Sequence, residues 1–225
     1  MNRIFIILFA LIFLMPLHAE ARYISLSQID ATLEEVLPHA NGYPPVFTSD
    51  EQRWEISGKL KDLLQLLDTA SRDYPDDNEL LFRVAYANAL GHNLEIPGCG
   101  NRAIDAFKRL IEKDPNNKRA NLYYGIFLSQ TMLISKSIPY LQRAIELGVP
   151  EAHRNLGFVY IAQRDGERAL AEYKAYLSVH PDDAEVKGII SKLEQRGISA
   201  FPIKTFPVLS PGLSGSGSAS NAPTP

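Results

Sequence analysis

The chain has 225 residues, a formal net charge of −3 and a single cysteine. Acidic and basic residues are interspersed, so the sequence lacks the basic face that a nucleic-acid-binding protein needs, and we expect no nucleic-acid partner. A single cysteine cannot form a disulfide within the chain, and the fold must therefore depend on its hydrophobic core.

The first 21 residues have the three-part layout of a secretory signal peptide. Arg3 precedes an apolar run over residues 4–17, and small residues follow at Ala19 and Ala21. This run is shorter than the roughly 20 residues that a helix needs to cross a bilayer. We expect cleavage after Ala21, with Ala19 as the alternative, and hence a periplasmic or secreted protein. Contact with a membrane is expected only if the segment is retained as an anchor.

Two helical regions are predicted next. Residues 22–48 contain an amphipathic helix that ends before the breaker sequence NGYPP. In residues 49–77, leucines recur at helical spacing, and Ser49 precedes Gln52 by three residues, which is typical of a capped helix start. This second region is either one long flanking helix or a degenerate pair of helices.

A proline followed by two Asp or Asn residues occurs at Pro75, Pro115 and Pro181. Proline cannot continue a helix, and an Asp or Asn side chain can cap the next one, so each occurrence marks a junction between helices. After the last proline, either Asp182 or Asp183 is expected to be the cap. The spacings are 40 (115 − 75) and 66 (181 − 115, twice 33), which indicates a helical repeat. The predicted units are residues 78–117 with an inserted turn, 118–149 and 150–183, followed by a capping helix (184–197) and a disordered tail rich in Pro, Gly and Ser (198–225).

The last unit contains Leu156, Gly157 and Tyr160, followed by Ala169, Tyr173 and Pro181. It resembles the tetratricopeptide repeat (TPR), in which a Leu-Gly-x-x-Tyr cluster in the first helix is followed by a small residue and an aromatic residue in the second, and proline closes the unit. The glycine and the small residue allow the two helices to approach closely. The resemblance implies an all-α solenoid of stacked helix pairs, coiled into a right-handed superhelix. The residues at its packing and closing positions are Ala103, Phe107, Pro115, Gly125, Leu156, Gly157, Tyr160, Ala169, Tyr173 and Pro181.

The resemblance also implies a ligand-binding groove, since the first helices of successive repeats line the concave face of such arrays. The matching stripe is more apolar than charged, which favours a hydrophobic or helical ligand. The alternative interpretation is that these side chains are covered within the protein, by the N-terminal helix or by the tail around Phe201 and Phe206. The groove residues are Phe82, Tyr86, Leu122, Ile126, Arg154, Phe158 and Ile161.

The sequence contains no recognisable catalytic motif. His92 and Cys99 share the inserted turn, but they make at most half of a four-ligand metal site, so we expect neither a metal nor a cofactor. The predicted function is a non-catalytic scaffold that binds a peptide segment or helix of another cell-envelope protein in its groove. The alternative is a structural subunit that forms homo-oligomers through its helical ends or through the Cys99 loop.

Overall fold

The computed structural model describes residues 25–131 and 133–201, and this part of the chain is all-α, without a β-strand. None of its helices is both long and apolar enough to span a membrane. The predicted signal peptide and the tail beyond residue 201 lie outside the described residues. The α-helices are α1 (Leu26–Ala40), α2 (Asp50–Asp73), α3 (Asn78–Asn93), α4 (Cys99–Lys113), α5 (Lys118–Ser129), α6 (Ile138–Glu146), α7 (Glu151–Ala162), α8 (Gly166–Val179) and α9 (Ala184–Arg196).

The region after residue 49 is one continuous helix rather than a degenerate pair. α2 runs through 24 residues, and the hydroxyl oxygen of Ser49 caps it by accepting a hydrogen bond from the N–H of Gln52 at 3.2 Å. α1 packs against α2 and also against α3. These are the contacts that the first helix of a repeat makes, so α1 and α2 add a helix pair at the N-terminal end of the array.

Each of the three prolines is followed by a side chain that caps the next helix. Asp77 Oδ1 accepts from two N–H groups in the first turn of α3, at 2.8 and 3.0 Å. Asn117 and Asp183 each accept from one N–H group, at 2.9 and 3.0 Å, in α5 and α9. Of the two candidates after the last proline, Asp183 is therefore the cap. The junction before α7 differs, since Pro150 occupies its N-cap position without a side-chain hydrogen bond.

The helices form two layers. The inner helices α1, α3, α5 and α7 each contact the next one in the series, whereas the outer helices α2, α4, α6 and α8 pack mainly on the inner ones. In arrays of stacked helix pairs the first helices line the concave side, and the inner helices have that place in this chain. The ends of the helices form the two edges of the array. The turns that join the two helices of each pair all lie at one of these edges.

The core fills the space between the layers in two clusters of buried apolar residues, one around α1 to α5 and one around α5 to α9. Eight of the predicted packing residues are buried in the described structure. They are Ala103, Phe107, Gly125, Leu156, Gly157, Tyr160, Ala169 and Tyr173.

Pro115 and Pro181 differ from the other predicted packing residues, because both are exposed in turns between helices. Each lies two residues beyond the end of an outer helix, α4 or α8. Since a proline ring blocks continuation of a helix, these residues end helices rather than pack them. Within the predicted set they therefore take closing positions and not packing positions.

The second unit departs from the repeat pattern in its outer helix. α6 has only nine residues, and a short 3-10 turn, Ile134–Ser137, takes the place of its first turn. Ser137 is fully buried where alanine is usual, and its hydroxyl group donates to the carbonyl oxygen of Ile134 at 2.6 Å. Gly148 then adopts a φ of 81°, a left-handed conformation that glycine tolerates well, before α7 begins.

The cap at α9 predicts a pH-dependent contribution to stability. Partial burial acts to raise the pKa of Asp183, but hydrogen bonds from the Val186 N–H and the Tyr176 hydroxyl, together with the Arg154 charge, hold this pKa below its usual value. A carboxyl group whose pKa is lowered by folding stabilises the folded state at pH values above the ordinary Asp pKa of about 4. This contribution is lost as the pH falls through the pKa of the folded state.

We therefore expect Asp183→Ala to lower the free energy of unfolding by about 1 kcal/mol at neutral pH and by less below about pH 4. Urea unfolding followed by circular dichroism at several pH values measures the difference. Asp183→Asn is the control, because it retains an accepting oxygen without a titrating group. A loss for Asp183→Ala that is constant from pH 3 to pH 7 would contradict the assignment.

Candidate interaction surface on the inner helices

The predicted groove residues all lie on the inner helices α3, α5 and α7. They do not form an open apolar surface. Leu122 and Arg154 are half-buried. The side chains of the other five are between 4% and 6% exposed, namely Phe82, Tyr86, Ile126, Phe158 and Ile161. Most of the stripe is thus buried within the protein, but the contacts described next come from α5 and not from the N-terminal helix or the tail, and the part of the stripe in ligand binding stays a prediction.

Three aromatic residues form what we call the aromatic floor, namely Phe82, Tyr86 and Tyr123. The Tyr123 ring on α5 meets both α3 rings edge to face, with centroids 5.4 Å from Phe82 and 5.0 Å from Tyr86. The guanidinium carbon of Arg119 lies 3.9 Å from the centroid of the Phe82 ring, within the range of a cation–π interaction. Phe82 and Tyr86 are therefore covered by side chains of the neighbouring inner helix α5.

The Tyr86 hydroxyl group is a polar atom inside this floor. Burial, with a smaller contribution from Tyr123, raises the pKa of Tyr86. Its oxygen has no hydrogen-bond partner among the described residues. A buried hydroxyl group without a hydrogen bond raises the free energy of the folded state. A rearrangement of the aromatic floor could give the Tyr86 hydroxyl group a hydrogen-bond partner.

Charged side chains link α1, α3 and α5 beside the aromatic floor, and we call them the ion-pair chain. Arg83 donates from Nε and from one terminal nitrogen to the two carboxylate oxygens of Asp30, both at 2.7 Å. Arg83 and Arg119 also donate to Glu79, at 2.9 and 3.0 Å. Burial acts to raise the pKa of Glu79, but the two arginines hold it below the usual value. The Arg83 side chain is 9% exposed, whereas those of Glu79 and Arg119 are 54% and 48% exposed.

A similar arrangement occurs at the other end of the inner layer. Arg154 on α7 donates to Glu185 on α9 at 2.6 Å, and the Arg154 Nε atom has no hydrogen-bond partner among the described residues. Burial raises the pKa of Tyr173, whose hydroxyl oxygen is likewise buried and unpartnered in the part of the chain that is described. The solvent-exposed side chains of these two regions of the inner layer are therefore largely charged. Apolar and aromatic side chains lie beneath them.

The sequence analysis named Arg154 but missed the other charged side chains of this surface. Glu79 and Arg83 are one helical turn apart, which is a spacing that favours ion pairs and could have been noticed. Arg119 lies 40 residues after Glu79, the same interval that separates the first two prolines. Asp30 had no sequence signal, because its partner Arg83 is 53 residues away.

Cys99 is fully buried at the start of α4. Its sulfur accepts a hydrogen bond from Arg102 at 3.1 Å, and a methyl group at Gly91 would lie 2.7 Å from that sulfur. Burial raises the pKa of the thiol despite the nearby Arg102 charge. The thiol is therefore inaccessible in the folded chain and is not placed to form a disulfide with a second copy, whereas self-association through the helical ends stays a prediction. No cluster of three metal-ligating side chains occurs within residues 25–131 and 133–201.

Comparison with known protein families and structures supports the repeat interpretation. A family model described as "Tetratricopeptide repeat" matches residues 134–186, from the 3-10 turn before α6 to the start of α9. The crystal structure of a thermophilic TPR protein from Thermus thermophilus is similar to this chain with a TM-score of 0.53 and 17% sequence identity. The match covers 74% of this chain and 91% of that one. At this identity, the likeness concerns the fold alone.

Two curated relatives are enzymes by name. The aspartyl/asparaginyl beta-hydroxylases of Mus musculus and Homo sapiens are 29% identical to this chain over 99 and 98 residues. The match covers 44% of this chain but only 13% and 12% of those proteins. The chain thus corresponds to about an eighth of the length of these relatives.

Proposed function

Because this chain is a tetratricopeptide-repeat protein, of a family that generally mediates protein–protein interaction, we propose that its inner helices bind a peptide segment or helix of another protein of the cell envelope. The proposed role is non-catalytic and holds that partner within an assembly. The signal-peptide pattern of residues 1–21 supports export to the periplasm or beyond.

The observation that carries the proposal is the ion-pair chain beside the aromatic floor. Ion pairs between exposed side chains contribute only about 0–1 kcal/mol each, so Glu79 and Arg119 can exchange their partners for charges of a ligand at small cost. Aromatic side chains and arginine are the residue types that dominate binding energy at interfaces. Movement of Arg119 off the Phe82 ring would open apolar area to a bound segment.

This arrangement favours an amphipathic segment over a purely hydrophobic one. A purely apolar ligand would leave Glu79, Arg83 and Asp30 desolvated, which is costly for charged groups. A segment with alternating charged and apolar side chains can pair with the charges and fill the floor. The proposed partner segment is therefore a charged amphipathic helix or strand.

A matched pair of charge reversals tests the proposal. Arg119→Glu on the inner layer should weaken capture of the partner from envelope extract by at least about tenfold, or 1.4 kcal/mol, because it places a second carboxylate beside Glu79. Arg109→Glu on the exposed face of α4 changes the net charge equally and should leave capture unchanged. Quantitative mass spectrometry of the captured proteins measures both, and equal capture by the two variants would contradict the proposal.

A further inference from the structure

The inner helices α3 and α5 run in the same direction and contact each other near both ends. Glu79 and Arg119, which are hydrogen-bonded to each other, are each the second residue of their helix. Towards the opposite ends of these helices, the rings of His92 and Phe127 meet edge to face with their centroids 5.6 Å apart. The ion-pair chain therefore lies near the N-terminal ends of the two helices.

Two carboxamide side chains tie the C-terminal ends of α1, α3 and α5 together, and we call these hydrogen bonds the carboxamide ties. Asn93, the last residue of α3, donates from Nδ2 to the carbonyl oxygen of Ala40 at 2.8 Å. Gln130, the C-cap of α5, donates from Nε2 to the carbonyl oxygen of Asn41 at 3.0 Å. Ala40 and Asn41 end α1, and the last carbonyl groups of a helix lack N–H partners within that helix. Each tie therefore supplies a donor to a carbonyl group at the end of α1.

One of the carboxamide ties reaches past the neighbouring helix pair. α3 contacts both α1 and α5, and thus lies between them in the inner layer. The hydrogen bond from Gln130 to Asn41 nevertheless joins α5 directly to the end of α1. The end of α1 therefore holds α3 and α5 together at this edge of the array.

The two ends of this three-helix group differ in solvent exposure. Asn93 is 4% exposed and Ala40 is fully buried, so breaking the hydrogen bond between them leaves polar groups without water as a replacement partner. At the other end, the side chains of Glu79 and Arg119 are 54% and 48% exposed, and exposed ion pairs contribute little to stability. The N-terminal ends of α3 and α5 therefore separate more readily than their C-terminal ends.

The loop after α1 strengthens the tied end. The N–H of Val46 donates to the carbonyl oxygen of His39 at 3.0 Å, and Nδ1 of His39 donates to the carbonyl oxygen of Val46 at 2.8 Å. The Tyr43 hydroxyl group donates to Glu95, in the turn between α3 and α4, at 3.0 Å. These bonds fold the loop back onto α1 and join it to the end of α3, so the two helix ends keep one relative position.

The aromatic floor spans the two helices that the ion-pair chain joins. Tyr123 belongs to α5, whereas Phe82 and Tyr86 belong to α3. A rotation of α5 about its C-terminal end would separate Tyr123 from the two α3 rings and expose the Tyr86 hydroxyl group. This group is buried and unpartnered among the described residues, so contact with water or a ligand gives it a hydrogen bond. The gain partly offsets the apolar contacts that opening removes.

We propose that the C-terminal ends of α1, α3 and α5 form a fixed hinge, about which α5 turns away from α3 to open the aromatic floor at the ion-pair end. Hinges are commonly a few residues at the ends of helices or in loops. The inference rests on the proposed function for its ligand, because the partner segment enters between the N-terminal ends of α3 and α5. The carboxamide ties keep the helices in register, so the floor closes again when the segment leaves.

Hydroxyl-radical footprinting of the full chain, read residue by residue with mass spectrometry, tests the hinge. Glu79→Ala removes the carboxylate that joins α3 to α5 and leaves every ring of the floor in place. We expect the oxidation rates of Tyr86 and Tyr123 to rise about threefold, a change in population within the range that loss of an exposed ion pair produces. The oxidation rates of His92 and Phe127, at the tied end, should stay at their unmodified values.

Gln130→Ala removes one carboxamide tie and should affect the other end of the helices. We expect it to raise the oxidation rate of Phe127, which is only 3% exposed in the tied structure. The control is Glu112→Ala, which removes a carboxylate from the exposed face of α4, outside the inner layer. It should leave the oxidation rates of the reporter residues at both ends unchanged.

Unchanged oxidation of Tyr86 and Tyr123 in Glu79→Ala would overturn the proposal, because the ion-pair end would then not open. Equal increases at both ends of the helices would overturn it as well, since they indicate a general loosening of the array. The measurements use the free protein and do not depend on partner capture. Opening at the ion-pair end without any partner capture would therefore support the hinge and contradict the proposed function.

Discussion

Phe158→Glu is expected to lower the free energy of unfolding by at least about 4 kcal/mol, the range reached when a charge is buried without a partner. Phe158 lies on α7 and is only 4% exposed. The substitution removes a buried aromatic side chain and puts a carboxylate in its place. Because burial favours the neutral acid, the loss should be smaller at acidic pH.

Urea unfolding of the unmodified chain and the variant measures this loss. Val179→Glu introduces the same side chain at a residue that is 56% exposed at the end of α8, and should change stability by no more than about 0.5 kcal/mol. Stability of Phe158→Glu equal to that of Val179→Glu would show that the Phe158 side chain faces solvent, as an open apolar groove requires. A charge placed at a buried position of the stripe is expected to destabilise the fold. A loss of binding in such a variant would therefore not show that the position contacts a ligand.

Gly157→Ala is expected to lower the free energy of unfolding by about 1–3 kcal/mol, a typical result of overpacking a core. A methyl group at this position would lie 3.0 Å from two carbon atoms of the Tyr173 ring. Tyr173 is fully buried, so the ring cannot move aside without disturbing its neighbours on α8. Thermal and urea unfolding of the variant measure the loss.

The control for this variant should change stability in the opposite direction. Gly188 lies inside α9, and a methyl group there would meet no atom within 4 Å. Gly188→Ala is therefore expected to raise the free energy of unfolding by up to about 1 kcal/mol, because alanine favours the helix. If both variants were stabilised, the close approach of α7 and α8 at Gly157 would be incorrect.

The sequence predicted the all-α TPR-type solenoid, and this prediction is confirmed. This prediction was possible because the residues that end one helix and begin the next form recognisable patterns in the sequence. Each closing proline is followed by an Asp or Asn residue, and in the structure the side chains of Asp77, Asn117 and Asp183 accept hydrogen bonds from the free N–H groups of the next helix. Such signals depend on residues close in sequence, which is why the helix boundaries were predictable.

The exposure and pairing of side chains on the inner layer were less predictable, because they depend on contacts between repeats. Tyr123 covers Phe82 and Tyr86 only because α5 packs on α3, and no local pattern states which side chain fills that space. The pairing of Asp30 with Arg83 also joins helices far apart in sequence. An apolar stripe at the right spacing therefore could not indicate how much of the inner face is exposed.

The most direct test of the central claim, that the inner helices bind a segment of another envelope protein, is site-specific photo-crosslinking in the intact cell. A photoreactive amino acid is placed at Arg119 on α5 or, in a second version, at Arg109 on α4. We expect a covalent adduct with one specific envelope protein from position 119 and none from position 109. Adducts of equal yield from both positions, or an adduct from position 109 alone, would contradict the claim that the inner helices carry the binding site.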